Sequence, residues 1–566
     1  MSEQLSGPNV GSGRVNITHE NVNVGNKSEK PTDEPEDPMV IFRLRSGKDD
    51  KMIPLKDVLT SLREHVFNRL PIRLLRFRKS DLDNSKLEIS LLERGEVYAH
   101  LERNFCKHLV TCHEQIPAAY VVPYEYHPIS ASKYAILSHT WLQSSSEVTY
   151  NNWKNGDDLD LSHEGYRKLV NFCRIAEAEY NVTFGWMDTV CINKSSSSEL
   201  DESIRSMYKW YEDATICITY LADSSSIDDM ANDRWFTRGW TLQELFAPKY
   251  LNFYSCDWQR VETDTTWNDK ECYDIQQVIT SATGITRNHM DYPKLASIST
   301  KMRWAAKRQV TRAEDASYSL MGLFGVSMSI AYGEGPERAF ARLVNEIINT
   351  MPGEDILDIF NFGGGPGTFD STLHGFLPLN PKVYLDSSKF NFSKGRLTKP
   401  LIMTHLGLRI PVLLLQAAPG SSNSEKYTSI GDYFANISYI TVGQNFTAWS
   451  SHTSHLNILD IFSQKVSLDP MSRYFQVAVL NCAAAPDIAD IRIPENCLAV
   501  IYLIYSSGKK PPQIGPTTKL YKIATKAPVS FDLQNHKGRP VDRDGFYTIP
   551  RSKLARHGMQ FLTMYL

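Results

Sequence analysis

Length, composition and charge bound the class of protein that this chain can be. At 566 residues it exceeds what one hydrophobic core usually organises, so we expect several domains. Hydrophobic residues make up 42% and aromatic residues 11% of the sequence, which is typical of packed domains and excludes a disordered scaffold. The formal net charge of −3 provides neither a basic field for a nucleic-acid partner nor an acidic excess.

The cysteines and the apolar runs indicate the compartment. Nine cysteines are scattered without a CxxC pair, which favours reduced thiols in a cytoplasmic protein. No set of His and Cys residues has zinc-site spacing, so we predict no metal centre and no bound cofactor. The longest apolar runs, such as 498–505, are less than half of the ~20 residues that a bilayer-spanning helix needs. The sequence therefore predicts no signal peptide and no membrane span.

The chain begins with two segments of different character. Residues 1–38 are rich in Ser, Asn, Gly, Glu and Pro and poor in large apolar residues, so they predict a disordered arm. Residues 39–130 have a mixed pattern, with an apolar-periodic stretch over 53–70 and a predicted strand at 86–92. This pattern does not define a fold for the second segment.

Residues 131–350 alternate between short β-rich runs and helical periodicity. Such alternation predicts an α/β domain with a parallel sheet covered by helices, in which ligands bind beyond the carboxyl ends of the strands. The predicted strands are 134–137, 184–187, 215–221 and 250–254. The predicted helices are 166–176, 200–211, 299–308, 313–323 and 336–349, with a further short helix in 234–245.

A Gly-rich connector and a β-rich region follow. Residues 351–370 contain Gly-Gly-Gly-Pro-Gly at 363–367, which predicts a flexible linker. In 371–566, extended runs separated by turn residues predict a mainly antiparallel β domain, a sandwich or a barrel, without evident chemistry. The runs are at 400–415, 432–442, 473–481, 497–505, 519–523, 546–549 and 559–566.

Polar and aromatic residues follow the predicted strands of the α/β domain. The phosphate-loop, HExxH and GxSxG motifs are missing, so these strand-end residues are the candidates for chemistry. Because carboxyl ends of parallel strands meet at one edge of a sheet, we expect the residues to converge. They are Ser138, His139 and Trp141 after the first strand, Asp188 and Asn193 after the second, and Asp223 after the third.

Segments of this region together resemble the fungal heterokaryon-incompatibility (HET) domain. The matching sequences are YAILSHTW at 134–141, GWMDTVCINK at 185–194, RWFTRGWTLQEL at 234–245, and TRAED at 311–315 with YGEG at 332–335. The resemblance implies fungal nonself recognition and programmed cell death when incompatible hyphae fuse, a form of innate immunity. It also implies a flavodoxin-like fold similar to the Toll/interleukin-receptor (TIR) domain.

The TIR resemblance implies a catalytic residue. TIR-type NAD hydrolases carry their glutamate in a Trp-x-x-x-Glu arrangement after the third strand, and Trp240 to Glu244 fits it, so Glu244 is the catalytic candidate and NAD the candidate substrate. A carboxylate can stabilise the oxocarbenium-like state of nicotinamide release. Trp141 or Trp240 would stack on a ring of the substrate, and Arg238 would pair with phosphate. The predicted substrate-binding set is Ser138, His139, Trp141, Asp188, Asn193, Arg238 and Trp240.

One departure and several alternatives accompany this interpretation. Leu142 stands where the family commonly has Gly, which would restrict backbone approach to a phosphate at that loop. Trp186, Trp235 and Trp240 equally suit core packing, and Glu244 equally suits an ion pair.

Other functions also fit these residues. Cys191, His139 and Asp188 would suit a thiol hydrolase. The main alternative to an NAD-cleaving incompatibility protein is a non-catalytic module that assembles with itself or with other incompatibility proteins through the α/β domain. In a third interpretation, the C-terminal β domain carries the specificity for a nonself ligand.

Overall fold

The structure is a computed structural model of the chain. It describes residues 39–43, 51–79, 87–111, 119–123, 127–142, 146–156, 161–262, 267–351, 356–362, 377–385, 401–405, 407–420, 439–442, 446–450, 473–480, 482, 490–494, 496–505, 521–522, 529–535, 546–557 and 559–565. The predicted arm at 1–38 and the Gly-rich run at 363–367 lie outside these ranges.

The described residues form strands β1–β21, helices α1–α14 and short 3-10 turns. The strands in chain order are Met39–Arg43, Lys51–Pro54, Arg73–Lys79, Leu87–Glu93, Val110–Thr111, Ala119–Pro123, Tyr134–His139, Phe184–Trp186, Ile216–Tyr220, Leu251–Tyr254, Ile402–Thr404, Gly407–Gly420, Tyr439–Val442, Phe446–Ser450, Arg473–Val479, Asp490–Pro494, Asn496–Tyr505, Tyr521–Lys522, Val529–Asn535, Phe546–Pro550 and Met559–Tyr565. The α-helices are Leu55–Arg69, Arg94–Lys107, Tyr150–Asn155, Glu164–Tyr180, Asp188–Cys191, Ser197–Asp213, Ile227–Met230, Thr241–Phe246, Tyr273–Thr283, Arg287–Asp291, Ile298–Ala306, Asp315–Tyr318, Met321–Phe324 and Pro336–Thr350. The 3-10 turns are Ser130–Ser132, Arg234–Thr237, Asp269–Glu271, Pro293–Leu295, Ile356–Phe360, Pro381–Tyr384, Arg551–Lys553 and Ala555–His557.

Residues 39–59 and 109–123, where described, form a compact unit of their own. Its sheet has the order β2-β1-β6-β5. Strand β1 pairs antiparallel with β2 and parallel with β6, and β5 pairs antiparallel with β6.

The second unit contains a sheet with the order β10-β9-β7-β8-β3-β4. Strands β8, β7, β9 and β10 are parallel, whereas β3 pairs antiparallel with both β8 and β4. Taken from β7 onward, the parallel strands have the order 2-1-3-4, which is the flavodoxin-type order. The chain leaves β7 toward β8 and returns to β9 on the other side, so the crevice of the topological switch lies at the carboxyl ends of β7 and β9. The predicted α/β fold is confirmed, with a mostly parallel sheet to which β3 and β4 add an antiparallel edge.

Burial and capping explain why these residues form their elements. All six residues of β7 are buried, as expected for a strand covered on both faces. Helix α4 buries Leu169 and Cys173 among other residues, and the left-handed Asn181 ends it. Helix α6 begins at the Ser196 cap, whose side chain accepts from the Glu199 backbone N–H. The predicted helices at 166–176 and 200–211 are thereby confirmed, each with a few more residues at its ends.

Two strands from before residue 131 extend the central sheet. Strand β4 agrees with the predicted strand at 86–92, and β3 covers the edge of β8, with Leu75 opposite Gly185. Ion pairs connect the neighbouring helices α1 and α2 to α6. Arg69 pairs with Asp213 at 2.7 Å, and Arg94 pairs with Glu202 at 2.7 Å. Arg73 also pairs with Glu199.

Two sequence predictions were wrong in detail. The single helix predicted at 313–323 is two short helices, α12 and α13, because i to i−3 backbone bonds such as Leu320 N to Ser317 O tighten the turn between them. The helix predicted in 234–245 is a 3-10 turn followed by α8, because Gly239 N donates to Gln309 O at 2.8 Å instead of continuing a helix. A Cβ at Gly239 would lie 2.5 Å from Val310 Cγ1, so this close approach requires glycine.

The C-terminal strands form antiparallel sheets, as predicted. The larger sheet follows β11-β12-β13-β14-β19-β17-β15, with β18 and β21 added at β17 and β12. Strands β16 and β20 form a separate pair. Within the described residues, no helix is both long and apolar enough to cross a membrane.

Candidate functional site

Ser138 lies at the switch between β7 and β9 and connects two elements that are distant in sequence. Its hydroxyl accepts a hydrogen bond from Trp235 Nε1 at 2.7 Å and donates one to Glu244 Oε2 at 2.5 Å. Ser138 and Trp235 are fully buried, and Glu244 is 7% exposed. The structure therefore brings the catalytic candidate, which follows the third predicted strand in sequence, next to the end of β7.

The environment of Glu244 brings its pKa close to neutral pH. Burial raises the pKa of Glu244 to about 7; the hydrogen bond from Ser138 and the charge of Arg238 lower this pKa, and the charge of Asp188 raises it. Tyr211, whose hydroxyl donates to Leu137 O at 3.1 Å, also contacts the carboxyl and lowers its pKa. A carboxyl with a pKa near 7 can exchange a proton at physiological pH.

Trp141 forms the outer wall of the crevice. Its ring is 41% exposed, and its Nε1 donates to Asp188 Oδ2 at 2.9 Å. Lys194 Nζ lies 3.6 Å from the ring centroid, and the Arg238 guanidinium carbon lies 5.2 Å from it. Lys194 Nζ is also 3.5 Å from Asp188 Oδ2. The mouth of the crevice thus combines an exposed aromatic face with two cations, a combination suited to an aromatic anion.

His139 is buried beside this wall. Its Nε2 is 3.6 Å from Asp188 Oδ1, and neither ring nitrogen has a hydrogen-bond partner among the described residues. Burial holds the pKa of His139 well below its ordinary value, and the charges of Lys168, Arg238 and Lys194 act in the same direction. The imidazole is therefore neutral at physiological pH and has one donor and one acceptor to offer.

The remaining predicted residues have other partners. The Asn193 side chain accepts from Ser195 N at 3.1 Å and from Ser195 Oγ, which makes a local turn. Asp223 pairs with Arg234 on the surface, with Arg234 Nε at 2.6 Å. Neither contact belongs to the cluster around Glu244.

Trp240 points its indole N–H at another acidic residue. Its Nε1 donates to Asp315 Oδ2 at 3.1 Å, and Tyr332 donates to Asp315 Oδ1 at 2.9 Å. Burial raises the pKa of Asp315, and these two hydrogen bonds lower it. Trp240 therefore connects α8 to the TRAED and YGEG segments.

The Glu314 side chain of the TRAED segment binds the main chain of the YGEG segment. Glu314 Oε1 accepts from Gly333 N at 2.9 Å and from Gly335 N at 3.2 Å. Gly333 and Gly335 have φ values of +95° and +87°, which explains why glycine occupies both positions. These hydrogen bonds hold the two segments together, and we call the pair of segments the brace.

The comparisons with known proteins identify the domain that contains this crevice. Residues 134–229 match the sequence model of the family described as "Heterokaryon incompatibility protein (HET)". Residues 134–229 thus match a HET domain. The chain is 40% identical over 227 residues to "Vegetative incompatibility protein HET-E-1" from Podospora anserina. The aligned region covers 38% of this chain and 16% of that protein. The chain thus spans a small part of the length of this relative, and no solved structure matches it.

The family match covers only part of the candidate site. It includes Ser138, His139 and Asp188 within residues 134–229, whereas Glu244 lies beyond its end. The geometry at Ser138 is therefore what attaches Glu244 to the HET domain.

Sequence reasoning missed four residues around the crevice of the HET domain. Lys194 was within a matched segment, and its position after a strand could have marked it as a cation for the site. Tyr211 fell within the predicted helix 200–211 and Trp235 suited core packing, and nothing in their spacing indicated polar contacts near Ser138. Arg308 donates to Thr241 Oγ1 at the start of α8, but it lies far along the chain and no local pattern marks it.

The thiol alternative finds little support. Cys191 is buried, and burial raises the pKa of its thiol to about 12, so it is protonated at physiological pH. His139 has no hydrogen bond to it among the described residues. Within those residues, no group of three or more His, Cys, Asp and Glu is arranged to hold a metal ion.

Proposed function

We propose that this chain acts in heterokaryon incompatibility, with the HET domain converting nonself recognition into programmed cell death. The match of residues 134–229 and the printed name of the 40% identical relative support this role. The flavodoxin-type strand order supports a TIR-like mechanism for the domain. Self-association or binding to other incompatibility proteins would provide the signal.

Within this role, the HET domain hydrolyses NAD at Glu244. The observation that carries this proposal is the buried Glu244 carboxyl bound to Ser138 at the switch of the sheet. Once ionised, this carboxylate would stabilise the oxocarbenium-like ribose as nicotinamide leaves, and weak solvation would strengthen that interaction. Trp141 offers a ring face, and Arg238 and Lys194 offer positive charge for the pyrophosphate.

The test uses the full chain, because a fragment that begins at 131 would lack β3 and leave the edge of β8 uncovered. Release of nicotinamide from NAD is measured for wild type, Glu244→Gln and the control Glu212→Gln, which alters an exposed carboxylate on α6. We expect turnover in wild type and in the control, and a loss of roughly 100-fold or more in Glu244→Gln. A wild-type chain without turnover contradicts the hydrolase proposal.

A non-catalytic assembly module is the second candidate. Its support is the low exposure of Glu244, 7%, together with hydrogen bonds that a purely structural carboxyl would also make. In that case Glu244→Gln would retain incompatibility activity in hyphae and the same molar mass by light scattering. Loss of cell death in a variant that still assembles would exclude this candidate.

A further inference from the structure

Arg308 is fastened to the turn that precedes the Glu244 helix. It follows α11 and is 9% exposed. Its Nη1 donates to Arg238 O at 2.7 Å and to Thr241 Oγ1 at 2.9 Å, and the adjacent Gln309 N donates to Thr237 O at 2.6 Å. The segment after α11 therefore holds the start of α8 in place.

The same guanidinium contacts the first turn of α8, which carries Glu244. Thr241, which it contacts, is the first residue of α8, and Glu244 is one turn later, so the two side chains share a face of the helix. Among the described residues, Arg308 Nη2 has no hydrogen-bond partner, and no ion pair joins Arg308 or Glu244 to another side chain. A buried cation and a buried acid, each without an ion pair of its own, thus face the same turn.

Burying an isolated guanidinium is costly unless an anion compensates it. Burial lowers the pKa of Arg308 to about 9, and the negative charge of Glu244 raises this pKa. Arg308 therefore stays protonated at neutral pH. Glu244 is the acidic residue whose negative charge stabilises the protonated form of Arg308.

We infer that Arg308 is a positioning residue for Glu244, holding the first turn of α8 and supplying the buried positive charge that allows this carboxyl to ionise. The inference rests on the proposed function only in taking Glu244 as the working group of the site. It concerns a residue outside the matched segment 134–229.

Other charged and titratable groups face Glu244 and define what Arg308 must be compared with. Asp188 opposes its ionisation and Arg238 favours it. Arg238 is half-buried beside Trp141 and its charge lowers the pKa of Glu244, whereas Arg308 is buried and contacts the helix that carries Glu244. The remaining neighbours are Ser138, Tyr211 and Cys217, and burial keeps the last two protonated by raising their pKa values.

The test titrates Glu244 directly in the full chain. The infrared band of its protonated carboxyl is assigned by its loss in Glu244→Gln and followed between pH 5 and pH 9. Arg308→Gln removes the charge, Arg308→Lys keeps it but weakens the contacts with Arg238 O and Thr241 Oγ1, and Lys307→Gln removes the neighbouring exposed charge. Nicotinamide release is measured on the same samples.

We expect the titration midpoint of Glu244 to rise by about one pH unit or more in Arg308→Gln. At a given pH, the ratio of ionised to protonated carboxyl then falls tenfold or more. Arg308→Lys should raise the midpoint less, and Lys307→Gln should leave it unchanged. A folded Arg308→Gln protein with the wild-type midpoint overturns the inference.

Two further outcomes are decisive. If Arg308→Gln does not fold alone, the double variant Arg308→Gln with Glu244→Gln should fold above pH 7, because both unpaired charges are then removed; failure to restore folding overturns the inference. If wild type shows no turnover but the midpoint shifts as expected, the hydrolase proposal fails and the role of Arg308 stands.

Discussion

Replacing Glu244 by Gln should change how the stability of the chain depends on pH. The carboxyl is 7% exposed and accepts the Ser138 hydroxyl at 2.5 Å. Glutamine has nearly the same shape and retains an acceptor oxygen for Ser138, but it carries no charge. The comparison of wild type with Glu244→Gln therefore isolates the free-energy cost of a buried negative charge.

The sign and size follow from the pKa of Glu244. Burial raises it from 4.5 to about 7, so the folded chain holds this proton more tightly than the unfolded chain, and native stability falls as pH rises from about 4.5 to about 7. The difference of about 2.5 in pKa corresponds to about 3 kcal/mol at roughly 1.4 kcal/mol per unit. About 2.5 kcal/mol of this loss in the free energy of unfolding occurs between pH 5 and pH 8.5. The Glu244→Gln protein, which has no carboxyl at this position, should not show that loss.

Thermal unfolding followed by tryptophan fluorescence measures this difference, because Trp186 in β8 and Trp235, which donates to Ser138, are both buried. At roughly 2–4 °C per kcal/mol for a domain of this size, the Tm of Glu244→Gln should gain about 5–10 °C on wild type between pH 5 and pH 8.5. The exposed control Glu212→Gln should follow wild type. A Tm difference that stays constant over this range would refute the reasoning.

Three further substitutions test other parts of the structure. Ser138→Ala leaves the buried Trp235 indole N–H without its acceptor and should cost about 1–3 kcal/mol in denaturant unfolding; an unchanged midpoint would argue against the contact. Trp141→Ala should weaken binding of nicotinamide nucleotides by calorimetry and alter Tm little, and equal affinity would remove the ring from the site. Gly335→Ala forces a side chain into φ +87° and should lower stability by about 1–3 kcal/mol, whereas Gly95→Ala, in open space within α2, should raise it slightly; similar effects of both would be inconsistent with strain.

Local patterns in the sequence predicted much of the sheet and its edge. The apolar run that became β7 is buried on both faces, and the helical spacing around Leu169 and Ile204 produced α4 and α6. Ser138 and Asp188 were placed at the same edge by the rule for parallel strands alone. The Trp141 to Asp188 hydrogen bond shows that the loops after β7 and β8 do meet.

Long-range pairing set the limit of prediction. Strand β3 reads as RLLRFRK, and its charged residues did not predict a strand that covers the edge of β8. Helix α9, at Tyr273–Thr283, was missed although Ile275 and Ile279 are buried at helical spacing. The split of 313–323 into α12 and α13 depends on contacts such as Tyr318 with Glu334, which no periodicity within the segment records.

The position of α8 explains why the spacing of Trp240 and Glu244 could not by itself separate a catalytic from a structural interpretation. One helical turn joins both residues, since Glu244 N donates to Trp240 O at 3.4 Å. Trp240 is bound to Asp315 in the brace, and Glu244 is bound to Ser138 in the crevice. A shift of the brace would therefore move the carboxyl relative to the sheet. The Trp-x-x-x-Glu spacing thus suits a structural link between brace and sheet as well as a catalytic role of Glu244. Arg308 donates a hydrogen bond to Thr241, the first residue of the same helix, and so also helps to fix the position of α8.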